Sequence, residues 1–196
     1  MLRRLADEHD LLLIFDEIFV GFGRTGDLFA CDGAGVTPDI ITLSKALTGG
    51  TLPLAATLAR GPIAEAFERD HPAAVLMHGP TYMANALACA AANASLDLFE
   101  TEPRLAQAAR IEAQLKSELE PCRQLPGVVD VRVMGAIGVV QLDRPTEALR
   151  DRFPPQGVWL RPFGDILYTT PPLTIGQADL SRLTSAIRKV AAEPTP

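Results

Sequence analysis

The stretch Leu11-Leu-Leu-Ile-Phe-Asp16-Glu17 decides the fold of this chain. Five consecutive apolar residues are typical of a strand that is buried on both faces, as in a parallel sheet. The run ends in Asp16, whose carboxylate we therefore expect in a poorly solvated place. A second apolar run, Asp39-Ile-Ile-Thr-Leu-Ser44, ends directly before Lys45. Because ligand sites in open α/β sheets lie off the carboxyl ends of the strands, the sequence predicts that Asp16 and Lys45 share one crevice.

An acid and an amine in one crevice suit a particular chemistry. A buried carboxylate can hold a pyridine nitrogen protonated, and a lysine can form a Schiff base with an aldehyde, which is what pyridoxal phosphate (PLP) needs. Each residue also has an ordinary explanation. Asp16 could cap the loop that follows its strand, and Lys45 could be a solvated surface lysine.

Further motifs extend this pattern over nearly the whole chain. They are Gly21-Phe-Gly-Arg-Thr-Gly26, Pro38-Asp39-Ile, Ser44-Lys45-Ala-Leu-Thr-Gly-Gly50 and His78-Gly-Pro-Thr81. Together with Asp16-Glu17-Ile, these motifs resemble the class III PLP-dependent aminotransferases, over about the C-terminal half of a family member. Four further stretches resemble the members that make 7,8-diaminononanoate in biotin biosynthesis: Thr48–Thr51, Ala88–Ser95, Arg132–Gly138 and Gly157–Pro162.

The resemblance implies an α/β fold, namely the C-terminal part of a fold type I PLP-dependent transferase. Residues 1–100 would form part of the PLP-binding large domain, and residues 101–196 a small C-terminal α/β domain. The break Thr101-Glu-Pro103 lies at this boundary. Periodicity predicts helices over Leu2–His9, Pro62–Arg69, Tyr82–Glu100, Leu105–Leu119, Pro145–Arg152 and from about Asp179 to Ala192. It predicts strands within Leu52–Leu58, a hairpin of Val128–Met134 and Ile137–Leu142 at Gly135, and short strands over Val158–Arg161 and Ile166–Thr169.

The resemblance makes Lys45 the catalytic and cofactor-anchoring residue and pairs Asp16 with the pyridine nitrogen. Thr81 precedes an alanine-rich helical pattern, so it could simply cap that helix. The resemblance instead implies that Pro80 and Thr81 meet the PLP phosphate of a partner subunit, in a homodimer with a shared site. Ala84 and Ala86 stand where relatives usually carry Gly and Pro, a departure that affects the helix entry.

Four residues are expected at the substrate. Arg161 would present a rigid fork to a carboxylate, with a surface ion pair as the ordinary alternative. By resemblance it binds 8-amino-7-oxononanoate, to which Gly79 gives close backbone access, while S-adenosylmethionine donates the amino group. Tyr168 would line the same pocket, although a core tyrosine explains it equally well. Arg24 would lie at the mouth of the site, unless its glycine-rich loop is a plain surface turn.

Composition excludes other classes of protein. With 47% hydrophobic and 21% charged residues the chain is ordinary for a globular protein, and its net charge of −6 argues against nucleic acid and anionic membrane as partners. Cysteines 31, 89 and 122 give neither a disulfide framework nor a metal site, and they fit a reducing cytoplasm. A P-loop ATPase would need G-x-x-x-x-G-K-[ST], which does not occur. An ornithine- or GABA-type aminotransferase, or a truncated remnant that only binds a partner, remain alternatives.

Overall fold

A computed structural model describes residues 1–68 and 74–193 of the chain, which divides into two compact units. Unit 1 comprises Met1–Phe22 and Asp27–Glu102, and unit 2 comprises Gly23–Gly26 and Pro103–Pro196. Both units combine helices with a sheet, so the predicted α/β class is confirmed. The sequence did not predict that Gly23–Gly26 groups with the second unit. The assignment of 1–100 and 101–196 to a large and a small domain stays a prediction.

Unit 1 is built on a three-stranded sheet of order β1-β2-β3. The strands are β1 (Ile14–Asp16), β2 (Ile40–Leu43) and β3 (Ala56–Ala59). Strand β1 runs parallel to β2, with Asp16 opposite Thr42, whereas β3 runs antiparallel to β2. The helices of this unit are α1 (Leu2–Glu8), α2 (Ala30–Ala34), α3 (Gly61–Ala64) and α4 (Ala86–Thr101), with 3-10 turns over Lys45–Thr48 and Glu65–Phe67.

Unit 2 is an antiparallel sheet with two long helices. Its strands are β4 (Val128–Met134), β5 (Ile137–Leu142) and β6 (Ile166–Thr169), in the order β4-β5-β6. Helices α5 (Arg104–Leu119) and α6 (Gln177–Ala191) pack on this sheet, and 3-10 turns cover Glu120–Gln124, Glu147–Arg152 and Pro154–Gln156. The core of this unit contains apolar side chains from both helices and all three strands: Ile111, Leu115, Leu119, Val131, Val140, Leu142, Leu167, Leu180, Ile187 and Val190. Its largest fully buried side chain, Phe153, lies between the last two 3-10 turns.

The hairpin of unit 2 has the predicted bounds and turns at the predicted glycine. Gly135 has φ +52°, in the left-handed region that favours glycine. Gly138 on β5 allows a close helix approach, because an added Cβ would lie 2.9 Å from the Leu119 Cδ1 atom of α5. The β4–β5 pair and its helix are therefore fixed by two positions where a side chain would not fit without movement.

Strand β1 is not buried on both faces, contrary to the sequence prediction. Leu11, Leu12 and Ile14 are each more than half exposed. The reason is that β1 is the edge strand of its sheet, paired only with β2 among the described residues. The apolar side chains of α1 are likewise only partly buried: Ala6 is buried, whereas Leu2 and Leu5 are exposed.

The long alanine-rich helix begins later than predicted. Helix α4 starts at Ala86, and its N-cap is Asn85, whose Oδ1 accepts hydrogen bonds from the backbone N–H groups of Leu87 and Ala88. Thr81 is therefore not the cap. Ala84 has φ +52°, which breaks a right-handed helix at that point. The departure from glycine at position 84 thus lies at the residue where the chain turns into the helix.

Other predicted elements differ in detail. Val158–Arg161 forms no strand, and Pro162 after it lacks the N–H group that sheet pairing needs. The predicted helix over Pro145–Arg152 is a 3-10 turn that begins at Glu147. Residue 69 of the predicted helix Pro62–Arg69 lies outside the described residues.

A buried carboxylate joins three elements at the amino-terminal edge of the unit 1 sheet. Asp39 accepts hydrogen bonds from Arg3 at 2.6 Å, from Arg60 at 3.1 Å and from the backbone N–H of Leu13 at 2.8 Å. The Arg3 hydrogen bond is the main cause that lowers the pKa of Asp39 from 3.8 to about 2. The carboxylate therefore ties α1 and the end of β3 to the chain between β1 and β2.

We predict that Ala84→Gly stabilises the chain by about 1 kcal/mol, because glycine removes the cost of a left-handed alanine. The matched control is Ala94→Gly at an exposed position inside α4, which should destabilise by about 1 kcal/mol. Both values come from urea unfolding followed by circular dichroism. Destabilisation by Ala84→Gly would contradict the backbone assignment.

We predict that Asp39→Asn lowers the melting temperature at neutral pH by several degrees. Since the pKa of Asp39 is lowered in the folded state, its contribution is present above pH 3.8 and is lost as the pH falls toward 2. The variant should therefore lose less stability than the parent between pH 4 and pH 2. Asp130→Asn removes a carboxylate with a similarly lowered pKa in a more exposed ion-pair group, so its effect at neutral pH should be smaller. Equal melting temperatures for both variants would contradict the anchoring role of Asp39.

Candidate active site

The strand-end acid lies at the carboxyl end of β1. Asp16 is the last residue of that strand, and its Oδ1 accepts a hydrogen bond of 3.0 Å from the backbone N–H of Ile18. The loop-capping role considered from the sequence is therefore present. Among the described residues, Asp16 Oδ2 has no hydrogen-bond partner, so the carboxylate keeps an oxygen for a donor on a ligand.

Lys45 begins the 3-10 turn that follows β2. Its backbone has φ +48°, a conformation that few non-glycine residues adopt and that occurs mostly at constrained sites. Side chains on both sides hold the turn: Ser44 Oγ donates to Leu54 O at 2.7 Å, and Ser95 Oγ of α4 donates to Ala46 O at 3.0 Å. The lysine therefore projects from a firmly held piece of backbone.

Asp16 and Lys45 both lie at the carboxyl edge of the parallel strand pair. Parallel strands β1 and β2 end side by side, with Asp16 opposite Thr42 and Lys45 three residues further on. The Lys45 Nζ atom lies 4.9 Å from the centroid of the Phe19 ring, in the loop directly after Asp16. The expectation of a poorly solvated crevice is wrong for the described chain, because Asp16 and Lys45 are both exposed. Strand β1, which ends in Asp16, is the edge strand and pairs only with β2 among the described residues.

Glu17 is a site-supporting residue to which the sequence analysis gave no role. It is 1% exposed, and its carboxylate accepts hydrogen bonds from the backbone N–H groups of Ala30 at 2.7 Å and Cys31 at 2.8 Å. Its carbonyl accepts from Gly21, where an added Cβ would lie 2.9 Å from that oxygen. Glu17 thus closes the loop after Asp16 onto α2. Strand alternation was the signal, since neighbouring residues point to opposite faces.

The predicted phosphate-contacting segment lies in unit 1. Gly79, Pro80 and Thr81 are all exposed, and no hydrogen bond among the described residues joins them to Asp16 or Lys45. A Cβ added at Gly79 would find the nearest atom, Met83 Cε, at 3.9 Å. Nothing within the described chain therefore requires a glycine there, and these three assignments stay predictions.

The predicted carboxylate-binding residue lies in unit 2. Arg161 is exposed, and none of the ion pairs found among the described residues includes it, so the surface ion pair considered from the sequence is not present there. Tyr168 on β6 is half-buried and alternates with the buried Leu167 and Thr169. Its ring therefore lies on the face opposite the core, so it is not a core tyrosine.

Arg24 is held within unit 2. Its Nη1 atom donates to Pro171 O at 2.6 Å and to Ala136 O at 3.4 Å, and its own carbonyl accepts from the Ala136 N–H at 3.0 Å. Burial lowers the pKa of Arg24. At Gly135 an added Cβ would lie 2.4 Å from the carbonyl carbon of Thr25, so the loop packs tightly on the hairpin turn. It is not a plain surface turn, and substrate contact by Arg24 stays a prediction.

Among the described residues, the cysteine thiols form no second reactive centre. Burial raises the pKa of the Cys31 and Cys122 thiols to about 11, which keeps them protonated, and all three cysteines are free. In the part of the chain that the structure describes, no cluster of side chains could hold a metal ion. No helix in those same residues has the length and apolar character needed to cross a membrane.

Unit 1 presents an acid and a lysine at the carboxyl edge of parallel strands, which is where ligand sites of open α/β sheets are found. The model of the family described as aminotransferase class-III matches residues 1–191. The chain therefore belongs to the class III aminotransferases, as the sequence motifs indicated.

Curated relatives narrow the comparison. The chain is 49% identical over 195 residues to adenosylmethionine-8-amino-7-oxononanoate aminotransferase of Mycobacterium leprae (strain TN), covering 96% of this chain and 44% of the relative. It is 46% identical over 189 residues to the enzyme of the same name from Corynebacterium glutamicum, covering 93% and 44%. The chain thus spans less than half the length of the curated relatives that it matches.

Solved structures share the fold. An amine transaminase from an uncultivated Pseudomonas species, in its PLP-bound internal aldimine form, superposes with a TM-score of 0.89 at 36% identity, covering 97% of this chain and 46% of that one. Adenosylmethionine-8-amino-7-oxononanoate aminotransferase from Methanocaldococcus jannaschii gives a TM-score of 0.88 at 32% identity, covering 96% and 47%. The matched part of these structures is mixed α/β, in agreement with the predicted fold.

We predict that Glu17→Ala destabilises the chain by about 1–3 kcal/mol, because it leaves the Ala30 and Cys31 N–H groups without their acceptor. Glu17→Gln keeps one acceptor oxygen and should cost less. The matched control is Asp16→Asn on the neighbouring exposed carboxylate, which should stay within about 0.5 kcal/mol of the parent. Urea unfolding measures all three; equal losses for Glu17→Ala and Asp16→Asn would contradict the role assigned to Glu17.

Proposed function

We propose that the chain is the C-terminal part of a PLP-dependent aminotransferase that transfers an amino group from S-adenosylmethionine to 8-amino-7-oxononanoate, giving 7,8-diaminononanoate in biotin biosynthesis. The observation that carries the proposal is the placement of Asp16 and Lys45 at one edge of two adjacent parallel strands. The names of the relatives at 46–49% identity support the choice of substrates.

The residues at this edge fit PLP. Asp16 keeps an oxygen without a described partner, which suits a protonated ring nitrogen. Lys45 forms no ion pair with a described carboxylate, so its amine is not engaged by an acid. Burying an unpaired carboxylate costs several kcal/mol, so a cationic ring nitrogen is the partner that Asp16 needs once the site is covered. Pro80 and Thr81 would meet the cofactor phosphate across a subunit boundary.

Each residue then has a defined task. When bound, PLP supplies an electron sink that stabilises negative charge at the substrate carbon bearing the amino group. Asp16 keeps the ring nitrogen protonated and so maintains that sink. Lys45 holds the cofactor through its aldehyde and, when released, takes the proton from the substrate Cα. The firmly held 3-10 turn of Lys45 keeps the amine at one position for both tasks.

Substrate binding would fall to four residues. Arg161 would bind the carboxylate of 8-amino-7-oxononanoate through its planar fork, since no ion pair among the described residues engages it. Tyr168 lies on the open face of its strand and would line the same pocket. Gly79 would give the substrate close backbone access. Arg24 would act at the mouth of the site through guanidinium nitrogens other than Nη1, which is engaged by main-chain carbonyls.

Two further features accompany this function. The segment around the phosphate-contacting residues exposes large apolar side chains, which a homodimer with a shared site would cover: Val75, Leu76, Met77, Tyr82 and Met83. The three free thiols fit the reducing cytoplasm.

A second candidate function is amine transamination with another substrate pair. An omega-aminotransferase of Caulobacter vibrioides is 36% identical over 200 residues, and an amine transaminase has a TM-score of 0.89. The two functions share Lys45 and Asp16 and differ in the substrates. Only the first requires S-adenosylmethionine as the amino donor, so the two are distinguished by whether S-adenosylmethionine changes the absorbance of the PLP-loaded protein.

We predict that Lys45→Ala abolishes the covalent capture of PLP, measured as absorbance that becomes permanent after borohydride reduction. Arg161→Ala should keep this capture, because Arg161 acts on the substrate. It should weaken the binding of 8-amino-7-oxononanoate roughly 10- to 100-fold through loss of a charged hydrogen bond. Lys189→Ala, which removes a lysine at the end of α6, is the control and should behave as the parent. If Lys45→Ala captures PLP as the parent does, the proposed function is wrong.

A further inference from the structure

We propose that the Phe19 ring binds the Lys45 ammonium group and so limits how readily this amine reacts with an aldehyde. The inference rests on the proposed function, which gives Lys45 an aldehyde to hold. Its basis is the distance of 4.9 Å between Lys45 Nζ and the centroid of the Phe19 ring. Phe19 is thereby a positioning residue that acts through Lys45.

The ring acts on one protonation state of the amine. A cation within about 6 Å of an aromatic face is attracted by the ring quadrupole, whereas a neutral amine is not. At an exposed site this attraction changes the equilibrium between the charged amine at the ring and the charged amine away from it by about 2- to 5-fold. The contact therefore holds the charged amine, which has no lone pair with which to attack an aldehyde.

Burial does not explain the position of Phe19. The ring is 45% exposed and belongs to neither hydrophobic core cluster. Cation–aromatic pairs are common, and Arg150 lies 5.3 Å from the ring of Trp159 in unit 2. The Phe19 pair differs because its cation is the lysine at the strand edge beside Asp16.

The chain contains three lysines, and the other two have polar partners. Lys116 pairs with Glu112 at 2.6 Å, and Lys189 donates to Gln156 at 3.4 Å. Among the described residues, no hydrogen bond or ion pair of the Lys45 side chain is found, so the aromatic ring takes the place of a carboxylate or an amide.

Both partners are fixed by their backbones. The loop of Phe19 is held on either side by the Ile18 N–H bond to Asp16 and the Gly21 N–H bond to the Glu17 carbonyl. Lys45 has its left-handed backbone and accepts a hydrogen bond from the Gly50 N–H at 3.2 Å. The contact therefore follows from the local fold and not from two mobile side chains meeting.

The chemical step that the ring limits is simple. The ammonium group first gives its proton to solvent and leaves the ring. The nitrogen lone pair of the neutral amine then attacks the aldehyde carbon; a carbon–nitrogen double bond replaces the carbon–oxygen double bond, and the oxygen leaves as water with the two protons of the amine. Removing the ring removes an attraction that acts only on the charged amine. The neutral amine and the product are not affected, so the amine should react more readily.

Competitive labelling of the whole chain with acetic anhydride near neutral pH tests this without PLP. The extent of labelling at Lys45, divided by that at Lys189, is read by mass spectrometry. Phe19→Leu should raise this ratio about 2- to 5-fold. Phe19→Trp retains an aromatic face and should keep the ratio at or below that of the parent. Phe67→Leu changes another half-exposed phenylalanine of unit 1 and should leave the ratio unchanged.

An unchanged or lowered ratio in Phe19→Leu would overturn the inference. So would a Trp variant that behaves like the Leu variant, or an equal rise in Phe67→Leu. Because labelling uses no cofactor, its outcome is separate from PLP capture at Lys45. Loss of capture in the parent would refute the proposed function while the labelling ratios still report on Phe19.

Discussion

The parallel pairing of β1 with β2 is the constraint on which the candidate site depends. The pairing is continued past the end of β1, where the Glu17 N–H donates to the Thr42 carbonyl at 3.0 Å. Because the two strands are parallel, their carboxyl ends lie at the same edge of the sheet. Asp16 ends β1 and Lys45 follows β2, so this register places an acid and an amine at one edge.

Buried and exposed groups divide the work at this edge. Glu17 and the hydroxyl groups of Ser44 and Ser95 form hydrogen bonds with backbone groups. These bonds fix the loop after Asp16 and the 3-10 turn of Lys45. Asp16 and Lys45 remain exposed and keep polar atoms for a ligand. This division is typical of sites in which rigid elements carry a few reactive side chains, because a side chain that satisfies the fold is not available for chemistry.

Much of the fold could be predicted where one local pattern decides the structure. The β4–β5 hairpin has alternating residues and a glycine turn, and α5 is strongly amphipathic, so both have nearly their predicted bounds. The placement of Asp16 and Lys45 at the ends of neighbouring parallel strands could be predicted, because one apolar run ends in Asp16 and the next ends directly before Lys45. The start of α4 could not be placed, since Asn85 and Thr81 are both good caps and only the left-handed Ala84 decides between them.

Features that depend on distant neighbours were beyond the sequence. A run of five apolar residues looks fully buried, yet the edge position of β1 leaves it exposed. The packing of the Arg24 loop against Gly135 joins residues more than a hundred positions apart, and no local pattern indicates it. Strand alternation indicates that Glu17 faces away from Asp16, but its partners, the N–H groups at the start of α2, lie beyond a loop whose path no local pattern specifies.

A crystal structure of the protein with added PLP tests the central claim most directly. The account predicts that an Asp16 carboxylate oxygen lies within hydrogen-bond distance of the pyridine nitrogen and that Lys45 is joined to the aldehyde carbon at the opposite side of the ring. A ring held elsewhere, a nitrogen that faces away from Asp16, or a cofactor joined to Lys116 or Lys189 would contradict it.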